Sequence, residues 1–268
     1  LPYNEMRISF NFRNWNELLI LDNSVPVLNN NPSVVPVVGT DIAAAPELTN
    51  IQVWANYSIV SNEERKRMAC APRDILIEQV QTAPRQNFTP LTNPTQSYDI
   101  RFSLSIKALF FAVRNITNRN IWSNYTTASP VPGPQVVVFE PTAGAFDPIN
   151  NTTLTYENTN RLNQMGSDYY SLIEPFYKAP SIPEPTGYHL YSYSLGFYNV
   201  DPLGSTNYGK LTNVSIVPAA SPAAIVGAGG TGAAASGQDY AQTYEFIIIG
   251  LNTNIIRISG GALGFPVL

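Results

Sequence analysis

The sequence predicts an all-β fold in which two antiparallel sheets pack face to face, as a sandwich or jelly roll. Three observations carry that expectation. Short segments with period-two alternation recur along the chain, separated by loops of very unequal length rich in Pro, Gly and Asn. Helical periodicity is almost absent. The closing stretch Tyr240–Leu268, YAQTYEFIIIGLNTNIIRISGGALGFPVL, holds an apolar run from Phe246 to Leu251 broken only by Gly250. That run is too short for a membrane span. Apolar at consecutive positions, it calls for a central strand covered on both faces, with its tail packed as well. Burying Phe246, Ile247, Ile248, Ile249 and Leu251 would contribute on the order of 10 kcal/mol, at roughly 1.5–3 kcal/mol each. After the polar Asn252-Thr253-Asn254 a second run follows, Ile255-Ile256-Arg257-Ile258.

In chain order, Leu1–Trp15 sets Met6, Ile8, Phe10 and Phe12 in alternation with Arg7, Ser9, Asn11 and Arg13, the pattern of a half-buried strand. Glu17–Leu21 is a short apolar continuation. Asp22–Asn50 carries Pro26, Pro32, Pro36 and Pro46 among small and polar residues and reads as an extended linker. Ile51–Val60 is the next strand. Ser61 and Glu64 have the spacing of a capping box, with Arg65-Lys66-Arg67 behind them, so a short helix is expected over Asn62–Ala69, ended by Pro72. Asp74–Thr82 is a strand, Ala83–Gln96 a polar loop. Ser97–Val113 is one long strand with Ile100, Phe102, Leu104 and Ile106 on a shared face.

Asn118–Gln135 reads as loop, and strands are expected at Val136–Phe139 and Thr152–Tyr156. Asn158–Gly166 is polar and carries no element. Asp168–Pro175 fits one helical turn. Tyr188–Tyr198 is an aromatic, alternating strand. Ser205–Gly209 is a turn and Leu211–Val217 a strand. Ala219–Gly237 has only Ile225 and Val226 to pack, and reads as a surface loop. Within Ile51–Leu268 the count is about eight strands, the number a two-sheet roll requires.

Composition narrows the function. Charged residues make up 13% of the chain, about half the usual share. Tyrosine is abundant, with 15 copies, and proline has 22. Low charge with abundant Tyr suits a surface that is buried against neighbours. The formal net charge of −4 argues against direct nucleic-acid binding, which calls for a basic surplus or stripe. One cysteine, Cys70, cannot make an intrachain disulfide, so a disulfide-stapled scaffold is excluded and a reducing compartment favoured. Cys70 is expected to be a small buried or half-buried residue. The chain opens at Leu1 inside a strand-like pattern, with no initiator Met and no signal peptide, and reads as part of something longer. Sequons at Asn56, Asn87, Asn115, Asn124, Asn150, Asn151 and Asn213 are then expected to stay unused.

Catalytic signals are weak. His189 is the one histidine; it has no nucleophile motif beside it and no His or Cys companion for a metal, so it reads as structural. Glu140, Asp147, Glu157, Asp168 and Glu174 are scattered without the spacing of a carboxylate couple. Gly227–Gly232 lacks the Lys-Ser/Thr ending of a phosphate loop. Arg65, Lys66, Arg67 and Arg73 form the basic cluster of the chain. It reads as the solvated end of a short helix, or more sharply as a contact for acidic proteins or lipid headgroups. The expectation is no enzyme: no catalytic, cofactor-binding or metal site, and no cofactor. An aromatic platform at Tyr188, Tyr191 and Tyr193 keeps a carbohydrate-binding module as the alternative.

Several stretches together resemble one family. They are LPYNEMRI (Leu1–Ile8), RDILIEQVQTAP (Arg73–Pro84), DIRFSLSIKALFFAVRN (Asp99–Asn115), SNYT (Ser123–Thr126), YENTNRL (Tyr156–Leu162), MGSDYYSLIEPFY (Met165–Tyr177), TGYHLYSYSL (Thr186–Leu195), GSTNYGKLTN (Gly204–Asn213) and the closing NIIRISGGALGFPVL. In this order they resemble the major capsid protein of nucleocytoplasmic large DNA viruses, of the iridovirus and marseillevirus type. The resemblance is nearly end to end, weakest at Asp22–Asn50 and Ala219–Gly237. It implies a double jelly roll. Residues 1–21 would be the last strand and exit of a first roll whose remainder is absent, 22–50 the inter-roll linker, and 51–268 a second roll of eight antiparallel strands. It also implies homotrimeric, pseudo-hexameric capsomers that tile an icosahedral shell over an internal membrane. Minor capsid proteins would be further partners, with no direct nucleic-acid contact, in a virion assembled in the host cytoplasm. Contacts between copies are expected on Tyr-rich loops such as Met165–Tyr177.

Overall fold

The computed structural model describes residues 5, 7–18, 20–23, 33–36, 46–117, 123–127, 146–229 and 241–266. A four-residue helix, α1 (Trp15–Leu18), precedes a hairpin of β1 (Ile20–Asn23) and β2 (Ser33–Pro36). Helix α2 (Asn62–Cys70) leads into β3 (Arg73–Thr82), β4 (Gln86–Phe88), β5 (Tyr98–Asp99) and β6 (Ser105–Asn115). A hairpin of β7 (Ile149–Tyr156) and β8 (Thr159–Gly166) follows, then a π-helical turn, Tyr169–Ile173, that runs straight into α3 (Glu174–Lys178). The chain continues through β9 (His189–Ser192), β10 (Thr206–Asn207), β11 (Val214–Ala220) and α4 (Pro222–Ala228), and closes with β12 (Tyr244–Ser259) and β13 (Ala262–Gly264).

Apart from the β1–β2 pair, two antiparallel sheets result. In the first, β12 pairs with β3 and β4 along one edge and with β6 and β13 along the other, while β9 and β10 line the far side of β6. The second runs β5-β11-β7-β8. Along the chain β3 lies in the first sheet, β5 in the second, β6 in the first, β7 and β8 in the second, β9 in the first, β11 in the second and β12 in the first. This wrapping of one sheet about the other is a jelly roll. The short β4, β10 and β13 lengthen the first sheet at its margins.

The core between the sheets is aromatic. Tyr98 meets Phe246 at 4.5 Å between ring centroids, Phe111 meets Tyr170 edge-on at 5.2 Å, and Phe102 stacks with Tyr208 at 6.2 Å. Gly250 of β12 exists because of this packing: a Cβ there would lie 2.8 Å from the Phe102 ring. Strand β6 is buried at nearly every position on both faces. The expectation of double cover for the Phe246–Leu251 run needs correction. There burial alternates, Phe246 and Ile248 facing the core, Ile247, Ile249 and Leu251 only half covered on the outer side. The two apolar runs are also one strand, not two. Asn252 does not interrupt it because its side chain is bonded in place: Gln81 Nε2 donates to Asn252 Oδ1 at 2.9 Å.

Other expectations change for physical reasons. Ser97–Val113 is two strands in different sheets. The chain crosses between them at residues 100–104, where Leu104 takes a left-handed φ of 65°. Asn158–Gly166 is a strand after all. Glu157 and Asn158 have φ of 48° and 63°, the paired left-handed residues of a tight hairpin turn. β8 is polar because it is the edge strand of its sheet, with most of its side chains in solvent. Pro222–Ala228, read as loop, is helix α4: the Ser221 hydroxyl accepts from the Ala224 N–H at 3.2 Å, and Ala224 is fully buried. The Tyr188–Tyr198 strand shrinks to β9. The closing tail is less packed than expected, with Phe265 exposed.

Helix α2 forms as the cap predicted, Ser61 Oγ accepting from Glu64 N–H at 3.2 Å, and extends one residue further to Cys70. Two expected strands before it do not form: residues 7–14 and 51–60 pair with no strand among the described residues, and apart from half-buried Val60 their apolar side chains are exposed. The linker 22–50 is entered by the β1–β2 hairpin. Val136–Phe139 lies outside the described residues.

Candidate functional site

The histidine and the carboxylates are occupied by structure. His189 is buried in β9, its Nε2 2.8 Å from Asp147 Oδ2 and its ring stacked on Phe111 at 5.0 Å. Asp147 also accepts from Ile149 N–H at 2.8 Å. The buried Glu174 accepts from Ser192 N–H and from the Tyr169 hydroxyl, each at 3.1 Å. Glu157 accepts from the backbone of Thr212 and Asn213. These acids hold loops to strands and do not converge on a cleft. Asp168 begins the π-helical turn without a side-chain cap bond, and Glu140 lies outside the described residues. Among the described residues no three His, Cys, Asp or Glu gather as a metal site.

The tyrosine platform is not a surface. Tyr191 is buried, and Tyr193 is half-buried with its hydroxyl shared between Tyr156 and Tyr208, 2.7 Å from the latter. Burial drives the Tyr193 and Tyr208 phenols far above their ordinary pKa. With Tyr191 and Tyr193 turned inward and half-buried Tyr188 packed on Tyr125 at 4.8 Å instead, the three rings make no shared platform and the carbohydrate reading loses its motive. Gly227, from the glycine-rich stretch, is packed in α4 against Gln242 and Tyr244 rather than open to a phosphate. Asn115 and Asn124 are buried too, each bonded to the threonine two residues on, which leaves no room for a glycan. Arg65, Lys66 and Arg67 are exposed on α2, and half-buried Arg73 reaches the Arg67 carbonyl at 3.5 Å. Cys70 is exposed, against the expectation, because it ends α2, a helix none of whose residues is buried.

What the fold does present is a fixed apolar surface. The π-helical turn and α3 are anchored from below. Tyr170 packs under Phe111 and donates its hydroxyl to the Thr152 carbonyl at 3.1 Å, and Glu174 is tied to β9. Pro175 starts α3. With that side locked, Leu172, Ile173, Phe176 and Tyr177 point to solvent, the last two 67% and 73% exposed. An apolar cleft of about 390 Å³ adjoins α3 over the outer face of the first sheet, floored by Phe110, Ile247 and Ile249 and walled by Pro175, Pro180 and Phe197. Beside Phe197, Leu195 is 74% exposed and Tyr198 is open as well. A monomer rarely leaves so many large apolar groups in one region uncovered. Sequence reasoning placed contact at Met165–Tyr177. It missed the 195–198 side, which it had assigned to a regular strand.

Comparison with known proteins agrees with this fold. A family model described as large eukaryotic DNA virus major capsid protein matches residues 64–264. The major capsid protein of Costelytra zealandica iridescent virus is 71% identical over 268 residues, covering 100% of this chain and 58% of the relative. That of Tipula iridescent virus is 69% identical over 261 residues, 97% of this chain and 56% of the relative. That of Frog virus 3 is 44% identical over 269 residues, 100% of this chain and 57% of the relative. The chain thus spans little more than half the length of these curated relatives. Among solved structures, the quasi-atomic model of the PBCV-1 virus capsid shares the fold, with a TM-score of 0.57 and 22% identity, over 78% of this chain and 55% of that one.

Proposed function

From the chain's membership of the large eukaryotic DNA virus major capsid protein family, we propose that it is the shell-building part of such a subunit and acts by binding copies of itself. The observation that carries this reading is the anchored, solvent-facing apolar surface of Leu172, Ile173, Phe176 and Tyr177. It is rigid before contact, so little ordering entropy is lost on association. The scattered, structurally committed carboxylates and the internal His189 support a binding role over a catalytic one.

In this reading the two sheets are the second of two rolls. Residues 1–21 belong to the exit of the first, with the chain through residue 50 as the connection. Three copies associate into a pseudo-hexameric capsomer, and capsomers tile an icosahedral shell in a virion assembled in the host cytoplasm. Minor capsid proteins and an internal membrane are the further partners. The net charge of −4 supports a shell that does not touch nucleic acid directly. Sedimentation velocity on the complete polypeptide tests it: trimers are expected, and a monomer at every working concentration overturns it.

A further inference from the structure

We propose that the cleft beside α3 is a binding site for a fatty acid, its hydrocarbon chain lying over Phe110, Ile247 and Ile249 and its carboxylate meeting Arg114 at one end, with Arg85 alongside. The inference goes beyond the self-association reading and does not depend on it. The cleft lies over the outer face of the first sheet, whereas the surface offered to other copies is the exposed side of α3.

Strand alternation builds the site. On β6 and β12 the side chains of Phe111, Val113, Phe246 and Ile248 go into the core. Those between them face the other way. The register sets Phe110 opposite Ile249, Ala112 opposite Ile247 and Arg114 opposite Glu245. The first two pairs floor the cleft, with Tyr125 and Tyr188 beside them. The third pair lies two residues further along both strands, about 7 Å from the end of the floor. Its charges do not balance. Arg114 and Arg85 reach the same Glu245 oxygen, at 2.5 and 3.5 Å, so two guanidiniums share one carboxylate. Arg114 is also short of a partner: its buried Nε has no hydrogen bond among the described residues. A buried N–H left unpaired is costly, more so on a charged group. The Arg85 side chain is 56% exposed and has room to close on Glu245. When it does, Arg114 turns its free N–H toward the cleft, and an incoming carboxylate accepts from it.

Three features choose a fatty acid over other occupants. The first is the lining. No carboxylate, lysine or arginine lines the cleft itself, and the His189 ring is stacked on Phe111, on the core side. Its volume of about 390 Å³ lies in the range of pockets that enclose small molecules. The second is that the floor offers a peptide nothing to pair with. There β12 is bonded to β6 on one side and to β3 and β4 on the other, and β6 is bonded to β9 on its far side. A segment of another protein would lay its own N–H and C=O groups on apolar surface without partners. An alkyl chain brings no such groups. The third is the excess positive charge at the end of the floor, which selects an anionic head over an alcohol or a plain hydrocarbon.

The test is palmitate binding by the complete polypeptide, read by native mass spectrometry and calorimetry, with hexadecanol and acetate for comparison. One palmitate per subunit is expected, held about ten-fold more tightly than hexadecanol, with no binding of acetate at the same concentrations. Arg85→Ala, at an exposed position, leaves Arg114 committed to Glu245; it should weaken palmitate about ten-fold and leave hexadecanol unchanged. Ala112→Trp fills the floor and should abolish both. Melting curves show whether each variant folds, and where Ala112→Trp does not, Arg85→Ala and the hexadecanol comparison decide. The absence of saturable palmitate binding overturns the inference. So does equal affinity for palmitate and hexadecanol, or palmitate affinity untouched by Arg85→Ala. Sedimentation of the same samples reads association separately. Trimers that bind no palmitate would contradict this inference alone, and monomers that bind it would contradict the assembly reading alone.

Discussion

The Lys107 ammonium, wholly buried in β6, lies 2.5 Å from the Glu78 carboxylate of β3 and also donates to the Asn199 carbonyl. A lysine in the most enclosed strand of the roll is tolerated because both partners reach it there. Glu78→Ala leaves the buried ammonium with one neutral acceptor, the Asn199 carbonyl. The expected loss is about 3 kcal/mol, the usual cost of orphaning a buried charge. Lys107→Met combined with Glu78→Leu should recover most of it. Urea unfolding of the three variants checks this; equal losses for the single and double variants would contradict it.

Gly250 and Phe102 make the second prediction. Gly250→Ala drives a Cβ into the aromatic ring, and the expected cost is about 1–3 kcal/mol of overpacking. Adding Phe102→Leu should return part of that loss, which a double-mutant cycle reads directly.

Alkaline stability follows from the tyrosines. Burial holds Tyr98, Tyr170, Tyr193, Tyr208 and Tyr244 above the ordinary phenol value, and half-buried Tyr169 is pushed up to about 12. A folded-state pKa above the unfolded one gives stability that is complete below about pH 10 and lost as pH rises through the folded values. Stability should therefore be flat up to about pH 10 and fall above it. In a spectrophotometric titration a fraction of the phenols should ionise only as the protein unfolds.

Ser221→Ala removes the cap of α4, whose buried Ala224 packs against the core. About 1 kcal/mol of stability should go with it, measured as a lower urea midpoint at unchanged slope.

Much of the roll was legible because it follows period two. β3, β7, β11 and the closing β12 lie close to where alternation put them, and the Ser61 cap set the start of α2. What escaped has physical causes. β8 is a polar edge strand, so it lacks the apolar face by which a strand is recognised. Helix α4 is mostly Pro, Ala and Gly, and Ile225 and Val226 alone are too few to give a periodic signal. The switch of Ser97–Val113 between sheets turns on the backbone of Leu104, a residue whose identity does not announce a left-handed φ. The alternation at 51–60 read as a strand, but among the described residues this segment pairs with none, so its apolar face stays open. The exposed apolar surface at α3 was half legible: the Tyr-rich Met165–Tyr177 stretch was singled out, while burial of Tyr170 and exposure of Tyr177 depended on which way the π-helical turn faced.

The central claim is that the α3 surface holds copies together, and sedimentation of a Phe176→Asp, Tyr177→Asp variant of the complete polypeptide tests it most directly. Both side chains are exposed in the subunit, so the melting temperature of the isolated monomer should stay within a degree or two. The account predicts that this variant sediments as a folded monomer under conditions where the unmodified protein forms trimers. Trimers undiminished by two carboxylates at this surface would contradict it.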